Sequence, residues 1–146
     1  MRKLPCLMSR HQTGITLLAL ATGLASACGG GLATGPSAVA GGVWKVRSIE
    51  TSAGGLVAVN RPENYTVEFG EGGRISARAD CNTCSGTYSI SGASLQIGAL
   101  ACTRAFCGTD SNDREFLEIL GGATKLAVRG IELSIDSPKG TLRLNR

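Results

Sequence analysis

Four cysteines carry most of the chemistry that this sequence could support, and all of them lie within residues 80–108. Cys81 and Cys84 form a Cys-x-x-Cys pair, and a second pair, Cys102 and Cys107, closes the stretch. Four thiolates at such spacing could hold a structural zinc ion, whereas an oxidising compartment would turn the same residues into disulfides. A redox-active Cys-x-x-Cys centre needs a helix N-terminus, but here the first pair leads into a strand-like segment. The residues therefore favour two structural disulfides, for which four cysteines allow three connectivities.

The position of the only histidine, His11, removes most catalytic chemistry from the rest of the chain. A mature protein without the N-terminal segment has no imidazole, which excludes Ser-His-Asp and Cys-His catalysis and every zinc site that uses His. We therefore predict that the protein is not an enzyme and holds no metal or cofactor. Three of the 15 Lys and Arg residues lie in the same segment, which leaves 12 against 11 Asp and Glu. This near-neutral balance argues against a nucleic-acid partner, for which a basic stripe is typical.

The first 27 residues have the pattern of an export signal. Positive charge at Arg2 and Lys3 precedes an apolar run, residues 15–27, that is too short to span a bilayer. The run ends in Leu-Ala-Ser-Ala-Cys, which resembles a bacterial lipobox in which Cys28 is lipidated after cleavage. The Ala-x-Ala within it also fits ordinary secretory cleavage, so a freely secreted protein is the alternative.

The cysteine count favours the lipoprotein. Cys6 leaves with the signal (residues 1–27) and five cysteines remain, an odd number that leaves one thiol to explain. Lipidation of Cys28 leaves four, and the lipid chains would hold the protein on a membrane surface. Residues 28–41 are rich in Gly, Ala and Ser and are predicted to form a flexible tether. Because Gly29 rather than Asp follows the cysteine, we expect the outer membrane, facing the periplasm, in a Gram-negative cell.

Residues 42–146 form one predicted domain in which apolar and polar residues alternate with the period of a β-strand. Turn residues separate short predicted strands at residues 44–49, 56–59, 65–69, 74–78, 86–90, 95–97, 125–128, 131–135 and 141–144. One α-helix is predicted at about residues 111–120, where Asn112 and Glu115 have the spacing of a capping box. The pattern predicts a mainly β fold, an antiparallel curved sheet or small barrel, with the helix packed over one end or face.

The order of these residues resembles that of a bacterial domain family. The resemblance is carried by Trp44, Tyr65-x-Val67-x-Phe69-x-x-Gly72, Cys81-Asn82, Ser85-Gly86-x-Tyr88, Leu95, Cys102-Thr103-Arg104-x-x-Cys107, Glu115, Leu120 and Gly130-x-x-Leu133. They are similar to the META domain, or HslJ-like, family of small envelope domains, which are often lipoproteins and associated with stress responses. The resemblance covers nearly all of residues 42–144 and implies a lipocalin-like antiparallel β fold without established catalysis. Asp80, where the family usually has Gly, and Ala105-Phe106, where it often has Met-Ala, depart from the pattern.

The resemblance also implies a disulfide pairing. Cys81 and Cys107 occupy the usual pair of cysteine positions in the family, which implies a Cys81–Cys107 disulfide and a Cys84–Cys102 disulfide nested inside it. Closing loops of this size should contribute on the order of 3 kcal/mol each in the chain-entropy model.

Arg104 is the residue that we would first test for contact with a partner. It lies between two cysteines, and a braced loop that carries one Arg could bind an anionic group. The alternative is a solvated side chain or an ion pair with Asp80.

Two functional classes are consistent with these observations. The first is a non-enzymatic, stress-associated envelope lipoprotein that is held on a membrane by its lipid anchor and contacts an envelope protein or a cell-wall component. The second is a small-ligand binder or a protein inhibitor of an envelope or exogenous enzyme. A ligand-holding barrel needs an internal void, whereas Leu95, Ile97, Leu126, Leu133 and Leu142 are large enough to fill it. The sequence favours the first class.

Overall fold

A computed structural model describes residues 35–146, which form ten strands and two α-helices. The strands are β1 (Val43–Thr51), β2 (Leu56–Val57), β3 (Tyr65–Phe69), β4 (Arg74–Ala79), β5 (Asn82–Ser91), β6 (Ser94–Ile97), β7 (Ala101–Cys102), β8 (Lys125–Arg129), β9 (Glu132–Ser137) and β10 (Gly140–Asn145). The helices are α1 (Pro36–Val39) and α2 (Asp113–Gly121), and two short 3-10 turns lie at Pro62–Asn64 and Glu71–Gly73.

Eight of the strands close into an antiparallel barrel. Its order is β1, β3, β4, β5, β6, β8, β9 and β10, and β10 pairs with β1 to complete the circle. The two shortest strands extend these ladders: β2 pairs with β1 beyond the residues that pair with β3, and β7 pairs with β5 beyond the residues that pair with β6. The sequence prediction of a mainly β fold with one main helix is therefore confirmed, and of the two predicted forms the barrel is the observed one.

The alternation along the strands fills the barrel with apolar side chains. In β3 and β4, for example, every second residue is buried and the residues between them face outward. Trp44 is fully buried; its indole Nε1 donates to the Val39 carbonyl oxygen at 2.9 Å, and the Arg146 guanidinium lies 4.6 Å from its ring centroid. The largest fully buried side chains are Trp44, Tyr65, Phe69, Phe116, Ile49, Leu95, Ile119, Leu120, Leu126, Leu133, Ile135 and Leu142.

Helix α2 packs against the barrel with one apolar face. Phe116, Ile119 and Leu120 are buried, and the helix contacts β4, β9 and β10. The rings of Phe116 and Tyr65 meet edge to face with centroids 5.6 Å apart. The helix therefore belongs to the same core as the strands, as the sequence predicted.

The beginning of α2 differs from the predicted capping box. The Asn112 side chain makes no capping hydrogen bond, and its Oδ1 is buried without a partner among residues 35–146. The Tyr65 hydroxyl instead accepts the Asn112 backbone N–H at 2.8 Å, and Ser111 Oγ accepts that of Asp113 at 3.3 Å. Glu115 is paired with Arg114 at 3.2 Å and does not reach back to the cap. A tertiary contact from β3 thus replaces the local cap that the spacing predicted.

The boundary between tether and domain also differs from the prediction. Residues 36–39, which lie inside the predicted tether, form helix α1, and Val39 is fully buried in the barrel core. The chain therefore joins the domain before residue 42. The predicted signal, residues 1–27, the lipidation site Cys28 and the first part of the tether lie outside the described residues. Among residues 35–146, no helix is long and apolar enough to cross a bilayer.

Candidate functional site

Two disulfides brace the segment that contains the sequence-predicted site residues. Cys81 is joined to Cys107, with Cα atoms 5.5 Å apart, and Cys84 to Cys102, with Cα atoms 4.1 Å apart. These are the pairs that the family resemblance implies. Cys84 and Cys102 lie directly opposite each other in the β5–β7 ladder, so the inner disulfide ties two paired strands. Sulfurs joined in this way are not thiolates, so they cannot supply the zinc site considered from the sequence.

The segment between Cys102 and Cys107, which we call the clasp loop (residues 102–107), is organised by Asn82. This side chain is buried, and its Oδ1 accepts the Ala105 backbone N–H at 2.8 Å and the Thr103 hydroxyl at 3.0 Å. Its Nδ2 donates to the Ala105 carbonyl oxygen at 3.1 Å and lies 3.2 Å from Cys107 Sγ. The amide thus pairs with the Ala105 backbone as a neighbouring strand would. One buried side chain therefore holds most of the clasp loop in place.

Further backbone contacts fix the two ends of the clasp loop. Two hydrogen bonds join Thr83 and Thr103. The Thr103 N–H donates to the Thr83 carbonyl oxygen and the Thr83 N–H donates to Thr103 Oγ1, both at 3.0 Å. The Cys81 N–H donates to Cys107 Sγ at 3.3 Å. With both ends and the middle held, the loop has little backbone freedom to lose on binding.

Gly86 allows the chain before the clasp loop to lie close against β5. A Cβ atom on Gly86 would be 2.9 Å from the Ala99 carbonyl oxygen and 3.0 Å from Leu100 Cδ2. Two residues further along β5, the Tyr88 hydroxyl donates to the Gly70 carbonyl at 3.1 Å. Position 86 therefore requires a residue without a side chain.

Asp80 forms the turn that leads into Cys81, and it does not pair with Arg104. Its backbone has φ of 57°, a left-handed conformation that Gly adopts readily and Asp tolerates. Its buried carboxylate accepts from Arg61 Nη2 and from Asn64 Nδ2, both at 3.1 Å. The predicted alternative of an Arg104–Asp80 ion pair is therefore wrong, because the Asp80 carboxylate is bonded to Arg61 and Asn64, in the segment before β3.

The outward side of the clasp loop presents an aromatic ring and a cation. Phe106 is 85% exposed, the highest value among the exposed large apolar side chains, and Arg104 is also exposed. Within residues 35–146, Arg104 takes part in no ion pair. Both line an open groove of about 890 Å³ between the loop and helix α2, whose opposite wall includes Asp113 and Leu117. The arrangement can bind a surface but shows no nucleophile beside a base.

A family model described as the META domain matches residues 37–146. The chain belongs to the META domain family. The matched residues include Val39, in agreement with its burial in the core. A search of curated proteins gave no match.

Solved structures similar to this META domain share its fold at low sequence identity. An NMR structure of a protein from Burkholderia xenovorans has a TM-score of 0.63 and 18% identity, covering 95% of this chain and 98% of that one. A second NMR structure has a TM-score of 0.61 and 24% identity, covering 77% and 95%. A crystal structure of a DUF4847 family protein from Bacteroides vulgatus has a TM-score of 0.55 and 15% identity, covering 73% and 93%. These similarities bear on the fold alone.

Several residues that carry the resemblance to the META domain family have distinct structural roles in this domain. Cys81 forms the outer disulfide, Asn82 holds the clasp loop, Gly86 permits close packing, and Tyr88 packs edge to face on Phe69 with centroids 4.9 Å apart. Sequence reasoning named the cysteines and Arg104 but missed Asn82 and Phe106 as parts of the site. The adjacent Cys81-Asn82 pair was the available signal for Asn82, whereas no local pattern marks Phe106 as exposed.

Proposed function

We propose that this META domain protein is a non-enzymatic, lipid-anchored envelope protein that binds another protein through the clasp loop. The observation that carries the proposal is Phe106, an aromatic side chain 85% exposed on a loop held by two disulfides. Aromatic and Arg side chains on a rigid support are typical centres of protein interfaces.

The physical basis is the low entropic cost of binding through a fixed loop. Ordering a flexible loop opposes association, but the disulfides and the Asn82 hydrogen bonds hold this one in place before a partner arrives. Burying the Phe106 ring in a partner would remove apolar area from water, and Arg104 beside it would select an acidic contact. The groove against α2 offers a recess for a partner side chain.

The proposed location in the cell envelope is supported by the cysteine residues rather than by the fold. Two disulfides are typical of proteins that work in an oxidising compartment. Lipidation of Cys28 accounts for the odd cysteine and would place the domain at the envelope surface. We extend the proposal to a role in envelope stress, in keeping with what the family resemblance implies.

A small ligand inside the barrel is the weaker candidate. Leu95, Leu126, Leu133 and Leu142 are buried and occupy the interior, and Ile97 is partly buried against the core. A protein inhibitor remains within the main proposal, since an enzyme could be the partner that contacts the clasp loop.

The proposal is tested by affinity purification of the lipidated protein from its own envelope. We expect one stoichiometric partner with the wild type and its loss with Phe106→Ser, and a weaker loss with Arg104→Ala. Leu56→Ser is the matched control, because Leu56 is 74% exposed on β2, outside the clasp loop. Equal recovery of the partner with Phe106→Ser would refute a role for the clasp loop.

A further inference from the structure

A second concave surface lies on the outer face of the barrel, on strands β1, β8, β9 and β10. It is an open groove of about 520 Å³, within the size range of small-ligand sites. We call it the arginine groove; its polar lining residues are Arg47, Ser48, Arg129, Glu132, Ser134 and Arg143.

The strand register brings these residues together from distant parts of the chain. Arg143 of β10 lies opposite Ser48 of β1 on one side and opposite Ser134 of β9 on the other. The β1–β10 ladder shifts between Val46 and Ser48, a β-bulge that leaves Arg47 without a direct partner in the ladder. Bulges redirect side chains and occur often beside functional sites. This one adds a second guanidinium to the rim of the groove.

Positive charge is concentrated in the arginine groove. Its lining holds three Arg residues and one carboxylate, Glu132, in a domain whose basic and acidic residues are otherwise nearly balanced. Arg143 is fixed by Glu50, which accepts from its Nε at 2.7 Å and from its Nη2 at 3.5 Å. This leaves Nη1 free of that contact.

The other two guanidinium groups are available to a ligand. Arg47 lies 3.7 Å from Glu132, but both side chains are at least 60% exposed, and such pairs contribute little and exchange easily. Arg129 takes part in no ion pair within the described part of the chain.

We propose that the arginine groove binds the phosphoryl group of a polar ligand. Guanidinium groups bind phosphate oxygens in a two-point geometry, and the three arginines outnumber the two carboxylates that they contact, Glu132 and Glu50, which leaves net positive charge for an anionic group. The Ser48 and Ser134 hydroxyls can donate to further phosphate oxygens. The groove is larger than a phosphate, which leaves room for the group that carries it. This site is separate from the clasp loop and does not depend on the function proposed there.

The test is a binding titration of the protein that is monitored by NMR. The probes are inorganic phosphate, glucose 1-phosphate, and phosphatidylcholine vesicles prepared with or without phosphatidic acid. We expect saturable shifts at residues 47–48, 129–134 and 143, and an affinity on the order of tenfold lower for Arg129→Gln, because one charged hydrogen-bond donor is lost. Arg74→Gln is the matched control, since Arg74 is an exposed Arg on β4 outside the groove. Binding of the soluble phosphates, or only of the phosphatidic acid vesicles, supports the site and identifies the source of the phosphoryl group.

The alternative is that the charged side chains of the arginine groove contribute only to the stability of the barrel and bind no ligand. If no probe shifts these residues, or if Arg129→Gln binds as tightly as the wild type, the proposal is overturned. Should Arg129→Gln change the overall spectrum, Arg129→Lys provides a second variant, because it keeps the charge and removes the guanidinium fork. Wild-type affinity of Arg129→Lys would overturn the proposal in the same way.

Discussion

Asn82 is the residue on which the clasp loop depends most. It is buried beside the outer disulfide, and both ends of its amide are used by the loop, so that removal would leave the Ala105 backbone groups without their partner. The sequence marks this position only by its place after Cys81. Its role follows from contacts 23 residues apart along the chain, which local patterns do not show.

Asn82→Ala should lower the free energy of unfolding by about 2 kcal/mol or more, because it breaks several buried hydrogen bonds at once. Asn82→Asp is the informative comparison, since it keeps the two bonds accepted by Oδ1 and removes those donated by Nδ2. We expect the Asp variant to be no more stable than the Ala variant in urea unfolding at neutral pH, because its second carboxylate oxygen would face the Ala105 carbonyl oxygen and the Asp113 carboxylate, which lie 3.1 and 3.4 Å from Nδ2. A stability of Asn82→Ala equal to that of the wild type would show that the disulfides alone hold the loop.

The Glu50–Arg143 pair makes the stability of the fold depend on pH. The hydrogen bond from Arg143 is the main cause that lowers the pKa of Glu50 below its ordinary value of 4.5. A carboxyl group whose pKa is lowered in the folded state stabilises the fold at pH values above its pKa in the unfolded state. This contribution is lost as the pH falls through the pKa of the folded state. By NMR titration, the pKa of Glu50 should lie below its ordinary value in the wild type and should be higher in Arg143→Gln. An unchanged Glu50 titration in the variant would contradict the pairing.

At the scale of elements, the close packing of residues 98–100 on β5 explains why Gly occupies position 86. The nearest neighbours of an added Cβ include a backbone carbonyl, which cannot move as a flexible side chain can. The β5–β7 ladder and the inner disulfide lie directly beyond this contact.

Gly86→Ala should destabilise the domain by about 1–3 kcal/mol, because the methyl group overpacks this contact. Gly121→Ala is the matched control: it lies in α2, no atom is within 4 Å of an added Cβ, and alanine favours a helix over glycine by roughly 1 kcal/mol. Chemical unfolding of both variants should show opposite signs. A neutral effect of Gly86→Ala would mean that residues 98–100 relax without cost.

Much of the element structure could be predicted from the period of the apolar residues. Strands such as β3 follow it residue by residue, and the helical face of α2 was clear from Phe116, Ile119 and Leu120. Strand β7 has only two residues and carries no period of its own, so its position depends on β5. The start of β5 was placed at residue 86 and is observed at Asn82, because the residues around the disulfides do not alternate in hydropathy.

At the scale of the whole molecule, tertiary packing creates both proposed binding surfaces. Arg47 and Arg143 are nearly one hundred residues apart in sequence, yet the β1–β10 pairing that closes the barrel places them on one outer face. The groove beside the clasp loop likewise needs α2 to pack on the barrel next to β5 and β7. Such surfaces could not be predicted from the sequence, because they depend on strand order and register rather than on local composition.

The central claim, that the clasp loop contacts a partner protein, is tested most directly by photo-crosslinking in the native envelope. A photoreactive phenylalanine analogue would replace Phe106 in one variant of the lipidated protein and Leu56 in a second, since both side chains are largely exposed. We predict one discrete adduct from position 106 and none from position 56. No adduct at position 106, or the same adducts from both positions, would contradict the claim.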